Sequence, residues 1–286
     1  MERRHPALTF GLYAVLILGA LVMIVPLGWM LLTSLKTFPE IMRNPPAWLP
    51  ASPQWGNYRV VMEQFAYYRF FLNSVFVAVM VIAGTVLTCC PAAYAFAYYD
   101  VRHKELIFGA LLATLMLPAQ VTVIPLFKLF AAIHWVNTYL PLIAPAWLGG
   151  NVFGIFLLRQ FFRTVPKSFI EAARIDGASE WTILWRIVVP MSLPALLTVI
   201  VFTFLWSWND LFNPLIYLQD ESLGTLPLGL LYFIARSEQI VGGSFDQAPW
   251  HLVMTLATVM VVPLVILFAF VQRRFVAGVA ASGVKG

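Results

Sequence analysis

The chain has 286 residues, of which 61% are hydrophobic and 11% charged, and its mean hydropathy is +0.83. Soluble domains carry roughly 25% charged and about 45–50% apolar residues, so soluble enzymes, disordered scaffolds and nucleic-acid modules are excluded and the class is integral membrane. The net charge of +5 and the pI near 9.3 then need a reason other than nucleic acid.

Asp, Glu, Lys or Arg at mid-bilayer costs about 2.5–3.5 kcal/mol on insertion scales, so runs free of them mark candidate spans. In chain order these are Ala7–Leu35, Phe70–Tyr99, Leu106–Phe127, Leu129–Leu158, Ile187–Asn209 and Gln247–Gln272. Each reaches the roughly 20 residues that a crossing needs. The polar patch His134–Thr138 delays the fourth helix to near Tyr139, and the fifth is expected to continue past Asp210 to about Leu218. The expected fold is therefore all-α with six transmembrane helices in one domain, 1–286, at about 7–35, 70–99, 106–127, 139–162, 187–218 and 249–272. The first run, at 29 residues, exceeds the 7–15 residues of a signal-peptide core and is expected to stay as a span.

Six spans place both termini and the second and fourth connecting segments on one side. That side holds twelve of the eighteen Lys and Arg: Arg3, Arg4, Arg102, Lys104, Arg159, Arg163, Lys167, Arg174, Arg186, Arg273, Arg274 and Lys285. Positive-inside bias makes it the cytoplasm. The basic pI is thus a topology signal, and lipid, not nucleic acid, is the surrounding partner. The expected location is the cytoplasmic (inner) membrane of a bacterium.

Between the spans, 36–69 carries five prolines with Trp48 and Trp55, and 219–249 is rich in Gly and Pro. Every span also contains proline, which membrane helices tolerate where neighbours re-satisfy the freed carbonyls. Gly149-Gly150-Asn151 interrupts the fourth span, as small residues for close helix packing or as an unwound pathway element. Cys89 and Cys90 are adjacent and read as small buried hydrophobes. His5, His103, His134 and His251 are scattered, so no metal site is expected. There is no G-x-S-x-G elbow and no G-x-x-x-x-G-K-[ST] phosphate loop. The chain is accordingly read as no enzyme, and its energy must come from another subunit or an ion gradient.

The segment 163–190 is long for a connection and has internal structure. Ser168 and Glu171 have capping-box spacing, with Pro166 upstream, and predict a helix over Phe169–Asp176 with Ile170, Ala173 and Arg174 on one face. Gly177 falls where a left-handed C-cap residue belongs. Ser179 then caps a second helix through Trp181 and Trp185 to Pro190. An element this short cannot be stable alone; it must pack on its own bundle or on a partner.

Glu171-Ala172-Ala173, Asp176-Gly177-Ala178 and Val189-Pro190 resemble the EAA loop of ATP-binding-cassette (ABC) importer permeases. Asn57-Tyr58, Asn73-Ser74, Asn137-Thr138-Tyr139, Trp208-Asn209-Asp210 with Pro214-Leu215, and the tail from Gln272-Arg273-Arg274 to Gly283-Val284-Lys285-Gly286 resemble positions of the carbohydrate, maltose-type second permease. Thr255 stands where many relatives have Ala. The resemblance implies a second permease subunit, two cytoplasmic ATP-binding subunits that hold ATP and Mg, and an extracytoplasmic sugar-binding protein, with no cofactor in this chain. It implies that Glu171 and Asp176 make polar contacts in an ATPase cleft, Ala172 and Ala173 allow close approach, and Gly177 makes the turn. It also implies that Gly278, Gly283, Lys285 and Gly286 lie in a pliant tail near the ATPase interface.

Asp210 is the acid inside a span, by default a functional-site hypothesis. With Trp208, Asn209 and Asn213 it forms either a polar, aromatic patch on a sugar pathway or an interfacial tryptophan cluster with a satisfied carboxylate. The alternative function is a stand-alone secondary transporter or channel, which usually shows several intramembrane acids or inverted repeats.

Overall fold

The computed structural model describes residues 6–241 and 249–282, and within them the chain forms fifteen α-helices and no strand. Four helical stretches are long and apolar enough to cross a membrane: Phe10–Ser34, Tyr67–Tyr98, Leu140–Phe162 (two helices in succession) and Trp250–Gln272. Two bent pairs also qualify, Lys104–Met116 with Gln120–Ala132 at 99° and Glu180–Met191 with Leu193–Trp208 at 85°. The fold is thus an all-helical membrane fold, and the chain divides into two compact units.

One unit comprises residues 1–67 and 230–263. It contains α1 (Pro6–Ser34), α2 (Phe38–Met42), α3 (Gly56–Gln64) and the first part of α15 (Trp250–Ser282). The side chains of α1 are exposed from Phe10 to Leu27, an apolar rod that the chain itself does not cover. Its C-terminal end is tied down. Asn57 Nδ2 donates to the carbonyls of Ser34 (2.8 Å) and Lys36 (3.0 Å), and the Ser34 and Tyr58 hydroxyls lie 2.8 Å apart. Thr255 Oγ donates to Ser34 O at 3.1 Å and to His251 O at 2.7 Å, so this hydroxyl adds a cross-helix bond. Lys36 is buried, its Nζ donating to Ala47 O at 2.6 Å and standing 4.2 Å from the Trp29 ring centroid. The proline-rich segment after α1 is therefore folded back on itself.

The other unit comprises residues 68–229 and 264–286. It holds most of α4 (Tyr67–Tyr98), then α5 (Lys104–Ala113), α6 (Ala119–Ala132), α7 (Leu140–Trp147), α8 (Val152–Phe162), α9 (Lys167–Ile175), α10 (Glu180–Ile183), α11 (Val189–Met191), α12 (Leu193–Trp208) and α13 (Phe212–Tyr217). Its core joins Cys89, Cys90 and Tyr94 of α4 to Ile155, Leu158 and Phe162 of α8, with Ile170, Ile183 and Val188 of the loop region packed on them. Both cysteines are buried and free.

Three expected helices are not continuous. The one expected over 106–127 stops at Met116, and α6 begins anew at Ala119 behind Pro118. The one expected over 187–218 starts only at Leu193, because Pro194 offers no N–H to the carbonyl of Pro190 and the helix turns at Ser192. It ends at Trp208, because Pro214 likewise has no N–H for Asp210 O, so a separate helix restarts at Phe212. The span expected over 139–162 breaks between α7 and α8. There Gly149 adopts φ +83°, and Gly150 N–H closes the end of α7 on Pro145 O at 2.8 Å. A Cβ on Gly150 would sit 2.6 Å from that carbonyl oxygen. The glycines therefore end a helix instead of letting two helices pack. The segment expected as a Gly- and Pro-rich connection after Gln219 contains a sixteen-residue helix, α14 (Leu226–Val241).

Candidate functional site

The first helix of the loop between α8 and α12, α9, begins two residues earlier than Ser168 capping would have it. Pro166, extended at ψ 129°, is the N-cap of α9 and no side chain caps it, so Ser168 and Glu171 form no capping box. Proline at the N-cap has no N–H for a side chain to accept and no side-chain oxygen for the first-turn amides, so a capping box cannot form there. The C-terminus follows the expected pattern. Gly177, at φ +79°, donates its N–H to Arg174 O at 3.0 Å, and Ala178 N–H to Ala173 O at 2.9 Å, the paired bonds of a Schellman end. Ser179 then accepts from Thr182 N–H at 3.2 Å and starts α10. The chain continues as a π-helical segment, Leu184–Val188, into α11.

Ile170 and Ala173 face the core of the chain, and Glu171, Ala172, Asp176 and Gly177 are exposed. Ala173, expected to let a partner approach, instead lets α9 approach its own bundle. Three large apolar side chains flank the exposed residues: Phe169, Ile175 (87% exposed) and Trp181. The element is held by Glu180. Arg174 donates to its carboxylate at 2.7 and 3.2 Å, and the buried Tyr94 of α4 donates its hydroxyl at 2.6 Å. Tyr98, one turn on, donates to Phe162 O at the end of α8. Glu180 is the site residue that motif reasoning passed over; its signal was an acid directly after the Ser179 cap, within reach of Arg174.

A second polar anchor lies at the same ends of α4, α5 and α8. Arg159, 4% exposed, stands 3.9 Å from the Phe108 ring centroid, donates to Glu105 at 2.5 Å and reaches Phe96 O at 3.3 Å. A buried guanidinium is tolerable only with such partners.

Further along α8 and α12, a cavity of about 320 Å³ is lined by Thr85, Asn151, Thr203, Ser207, Asp210 and Thr225, with Phe153 and Trp206 among its apolar walls. The break between α7 and α8 builds part of it: Asn151 accepts from Gly154 N–H at 2.8 Å as the cap of α8 and donates Nδ2 to Thr203 Oγ at 3.1 Å. Of the four expected pathway residues, Asp210 lines this cavity. Its carboxylate accepts from Asn213 N–H at 3.1 Å and Asn213 Nδ2 at 2.8 Å. Asn213 and Asn209 are exposed, and Asn209 Nδ2 donates to Leu205 O at 2.8 Å. Trp208 is 1% exposed, stacked on Phe204 at 5.2 Å and edge-on to Phe71 at 5.8 Å; it is a packing residue, not an interfacial one.

The motif asparagines act as backbone clamps. Asn137, at φ 61°, accepts the N–H groups of Gln219 (3.0 Å) and Asp220 (2.8 Å) at Oδ1. Asn73 donates to the carbonyls of Ser222 and Gly224, both at 2.9 Å, and Ser74 Oγ accepts Leu226 N–H at 2.7 Å. Gly224 sits so close to Phe70 that a Cβ would lie 2.6 Å from its ring.

In the C-terminal region α15 runs unbroken through Ser282, so Gly278 is a helical residue there and not part of a pliant tail. Gly283, Lys285 and Gly286 lie outside the described residues. Among the described residues, no group of three His, Cys, Asp or Glu comes together that could hold a metal ion.

Comparison with known proteins gives a consistent result. A family model described as binding-protein-dependent transport system inner membrane component matches residues 84–281. The arabinooligosaccharides transport system permease protein of Halalkalibacterium halodurans is 33% identical over 270 residues, covering 93% of each chain. The sulfoquinovosyl glycerol transport system permease protein of Agrobacterium fabrum is 31% identical, over 91% of this chain and 88% of that one. The sn-glycerol-3-phosphate transport system permease protein of Pectobacterium atrosepticum is 30% identical, over 94% and 95%. In fold, this chain matches one from the crystal structure of a bacterial ABC transporter involved in the import of the acidic polysaccharide alginate, with TM-score 0.80 at 22% identity over 96% of this chain and 100% of that one. By the extent of the family match and by its relatives, the chain belongs to the inner membrane components of binding-protein-dependent transport systems.

Proposed function

We propose that this chain is the permease subunit of an ATP-driven, binding-protein-dependent sugar importer, forming half of the translocation pathway. The observation that carries the reading is the exposed face of Glu171, Ala172, Asp176 and Gly177 on a helix–glycine–helix element locked to α4 through Glu180. That geometry suits a docking element that passes motion from a partner into the bundle as a rigid body, the kind of packed-interface switch that moves in discrete steps. In this reading a separate subunit holds ATP and Mg, which the lack of a G-x-x-x-x-G-K-[ST] phosphate loop in the sequence supports. In this reading two cytoplasmic ATPases receive the α9–α10 face, a second permease completes the pathway, and an extracytoplasmic protein delivers the sugar.

Relatives named as permeases for arabinooligosaccharides and sulfoquinovosyl glycerol support a sugar or polyol as cargo. Counting each bent pair as one crossing gives six spans, in keeping with both termini and the α9–α10 loop in the cytoplasm, where twelve of the eighteen Lys and Arg then lie. Asp210 is the residue of the expected patch best placed to meet cargo. Family membership runs against the stand-alone secondary transporter or channel.

The test is affinity purification of the chain from native membranes in mild detergent, with mass spectrometry of what accompanies it. A second permease and a phosphate-loop ATPase in near-equal amounts are expected. A lone chain or a homo-oligomer overturns the reading.

A further inference from the structure

The segment between α1 and α3 presents two large apolar side chains outward on a backbone that is fastened from both sides. Lys36 Nζ donates to Ala47 O at 2.6 Å, and Glu40 accepts the Ala51 N–H at 2.8 Å. Between these two ties stand Trp48 and Leu49, 70% and 69% exposed. Hydrophobic collapse would turn such a pair inward. Here a buried ammonium and a carboxylate hold them out instead. Trp55, the residue before α3, is 69% exposed as well.

The level of these side chains along α1 identifies what meets them. Trp48 packs edge-on against Trp29, with ring centroids 5.3 Å apart. Trp29 lies five residues before Ser34, the last residue of α1, hence about 7.5 Å inside the span at 1.5 Å per residue. Helical side chains lean toward the N-terminus, which sets the Trp29 ring deeper still. Trp55 stands level with the end of the span, because the neighbouring Gln54 N–H donates to Leu35 O at 2.9 Å. One exposed tryptophan is thus at the rim of the membrane and the other just beneath it. Indole favours this zone, being an apolar ring with one N–H for headgroups or water. The backbone suits the same place. Pro45, Pro46, Pro50 and Pro53 bring no N–H into a zone poor in water, and the two ties satisfy Ala47 O and the Ala51 N–H internally. Directly below Trp29, α1 is exposed and apolar from Leu27 back to Phe10, so the patch continues the surface that this span turns outward.

We infer that residues 45–55 form an interfacial membrane anchor. It seats Trp48 and Leu49 among the headgroups and upper acyl chains of the leaflet at the C-terminal end of α1, with Trp55 at the rim. A soluble partner could cover Trp48 only by displacing lipid at that level. The anchor rests on α1 being a span and not on the importer reading.

The test uses the full chain with its co-purifying subunits in phosphatidylcholine nanodiscs. An NBD fluorophore is attached to Leu49→Cys or, as the reference, to Arg59→Cys on α3, where the native side chain is 81% exposed. Cys89 and Cys90 are buried, and the complex without an added cysteine gives the background. A nitroxide on the upper acyl chain of the lipid is expected to quench the Leu49 probe at least threefold more than the Arg59 probe, and aqueous iodide to do the reverse. In native membranes, p-benzoylphenylalanine at position 48 is expected to form a phospholipid adduct on photolysis, which reads the same contact without the dye. Iodide quenching at Leu49 equal to that at Arg59 overturns the inference, whether or not an added extracytoplasmic binding protein then shields the probe. A photoadduct to protein in place of lipid overturns it as well and assigns the patch to a protein interface. Either failure leaves the importer reading intact, since that reading is decided by which subunits co-purify.

Discussion

The Tyr94 hydroxyl donates to the Glu180 carboxylate at 2.6 Å across 86 residues of sequence. The same carboxylate accepts two bonds from Arg174, so one acid joins α4, the end of α9 and the start of α10. The two ties are unequal. Arg174 and Glu180 have side chains 41% and 40% exposed, and such pairs contribute only about 0.2–1 kcal/mol. Tyr94 is buried, and a hydrogen bond to a charged group there is worth roughly 1.5–3 kcal/mol. Tyr94→Phe is therefore expected to reduce transport per ATP hydrolysed more than Arg174→Gln does, and Glu180→Ala more than either. Uptake and ATPase activity of reconstituted complexes check the order; Arg174→Gln proving the most damaging would place the weight on the surface pair.

Glu40 gives a pH-dependent stability with a definite sign. The Thr37 N–H first, and then the Ala51 N–H, both 2.8 Å from its carboxylate, hold its pKa below the ordinary 4.5. A depressed folded pKa means that the carboxylate stabilises the fold at pH above 4.5 and that the contribution is lost as pH falls from there through the lowered folded value. Wild type and Glu40→Gln are expected to differ in Tm by a constant amount between pH 5 and 7 and to converge at lower pH. A difference that grows on acidification would contradict the assignment.

Much of this was legible in the sequence because lipid is an unforgiving solvent. Charge-free runs identified the apolar segments, and Gly177 and Ser179 announced a turn and a cap that the backbone then forms. What was not legible depended on where prolines fall relative to carbonyls. Pro194 and Pro214 each withhold one N–H, and that alone splits an apolar run into three helices. Composition also could not tell Trp208, which is buried, from Trp206, which lines the cavity. Glu180 and Arg159 carry no such signal, because Tyr94 and Glu105, the partners that anchor them, are 86 and 54 residues away in sequence.

Asn137 separates two kinds of cost at one position. Its φ of 61° disfavours most residues, and its Oδ1 accepts two backbone N–H groups. Asn137→Ala loses both bonds and adds left-handed strain of about 1–2 kcal/mol. Asn137→Gly loses the bonds without the strain, and Asn137→Asp keeps acceptors for both amides. The expected order of Tm is wild type near Asp, then Gly, then Ala, with Gly above Ala by the equivalent of about 1 kcal/mol. Equal losses for Gly and Ala would mean that the backbone conformation carries no penalty there.

Gly177 tests the docking element itself. A Cβ there would meet nothing within 4 Å, so steric crowding cannot be the reason for glycine. The reason is φ +79°, which a β-branched residue resists most strongly and Asn tolerates. Gly177→Val is therefore expected to pull α9 out of register with Ser179 and abolish transport, while leaving membrane insertion and the α4–α8 core intact. Gly177→Ala should fall between, and Gly177→Asn should retain most activity. Substrate uptake measured at matched membrane levels distinguishes this from misfolding. Full uptake by Gly177→Val would show that the bend between α9 and α10 does not matter to transport. Loss of uptake in Gly177→Asn as well as in Gly177→Val would instead place the requirement on the open space at the surface, where an arriving partner leaves no room for any side chain.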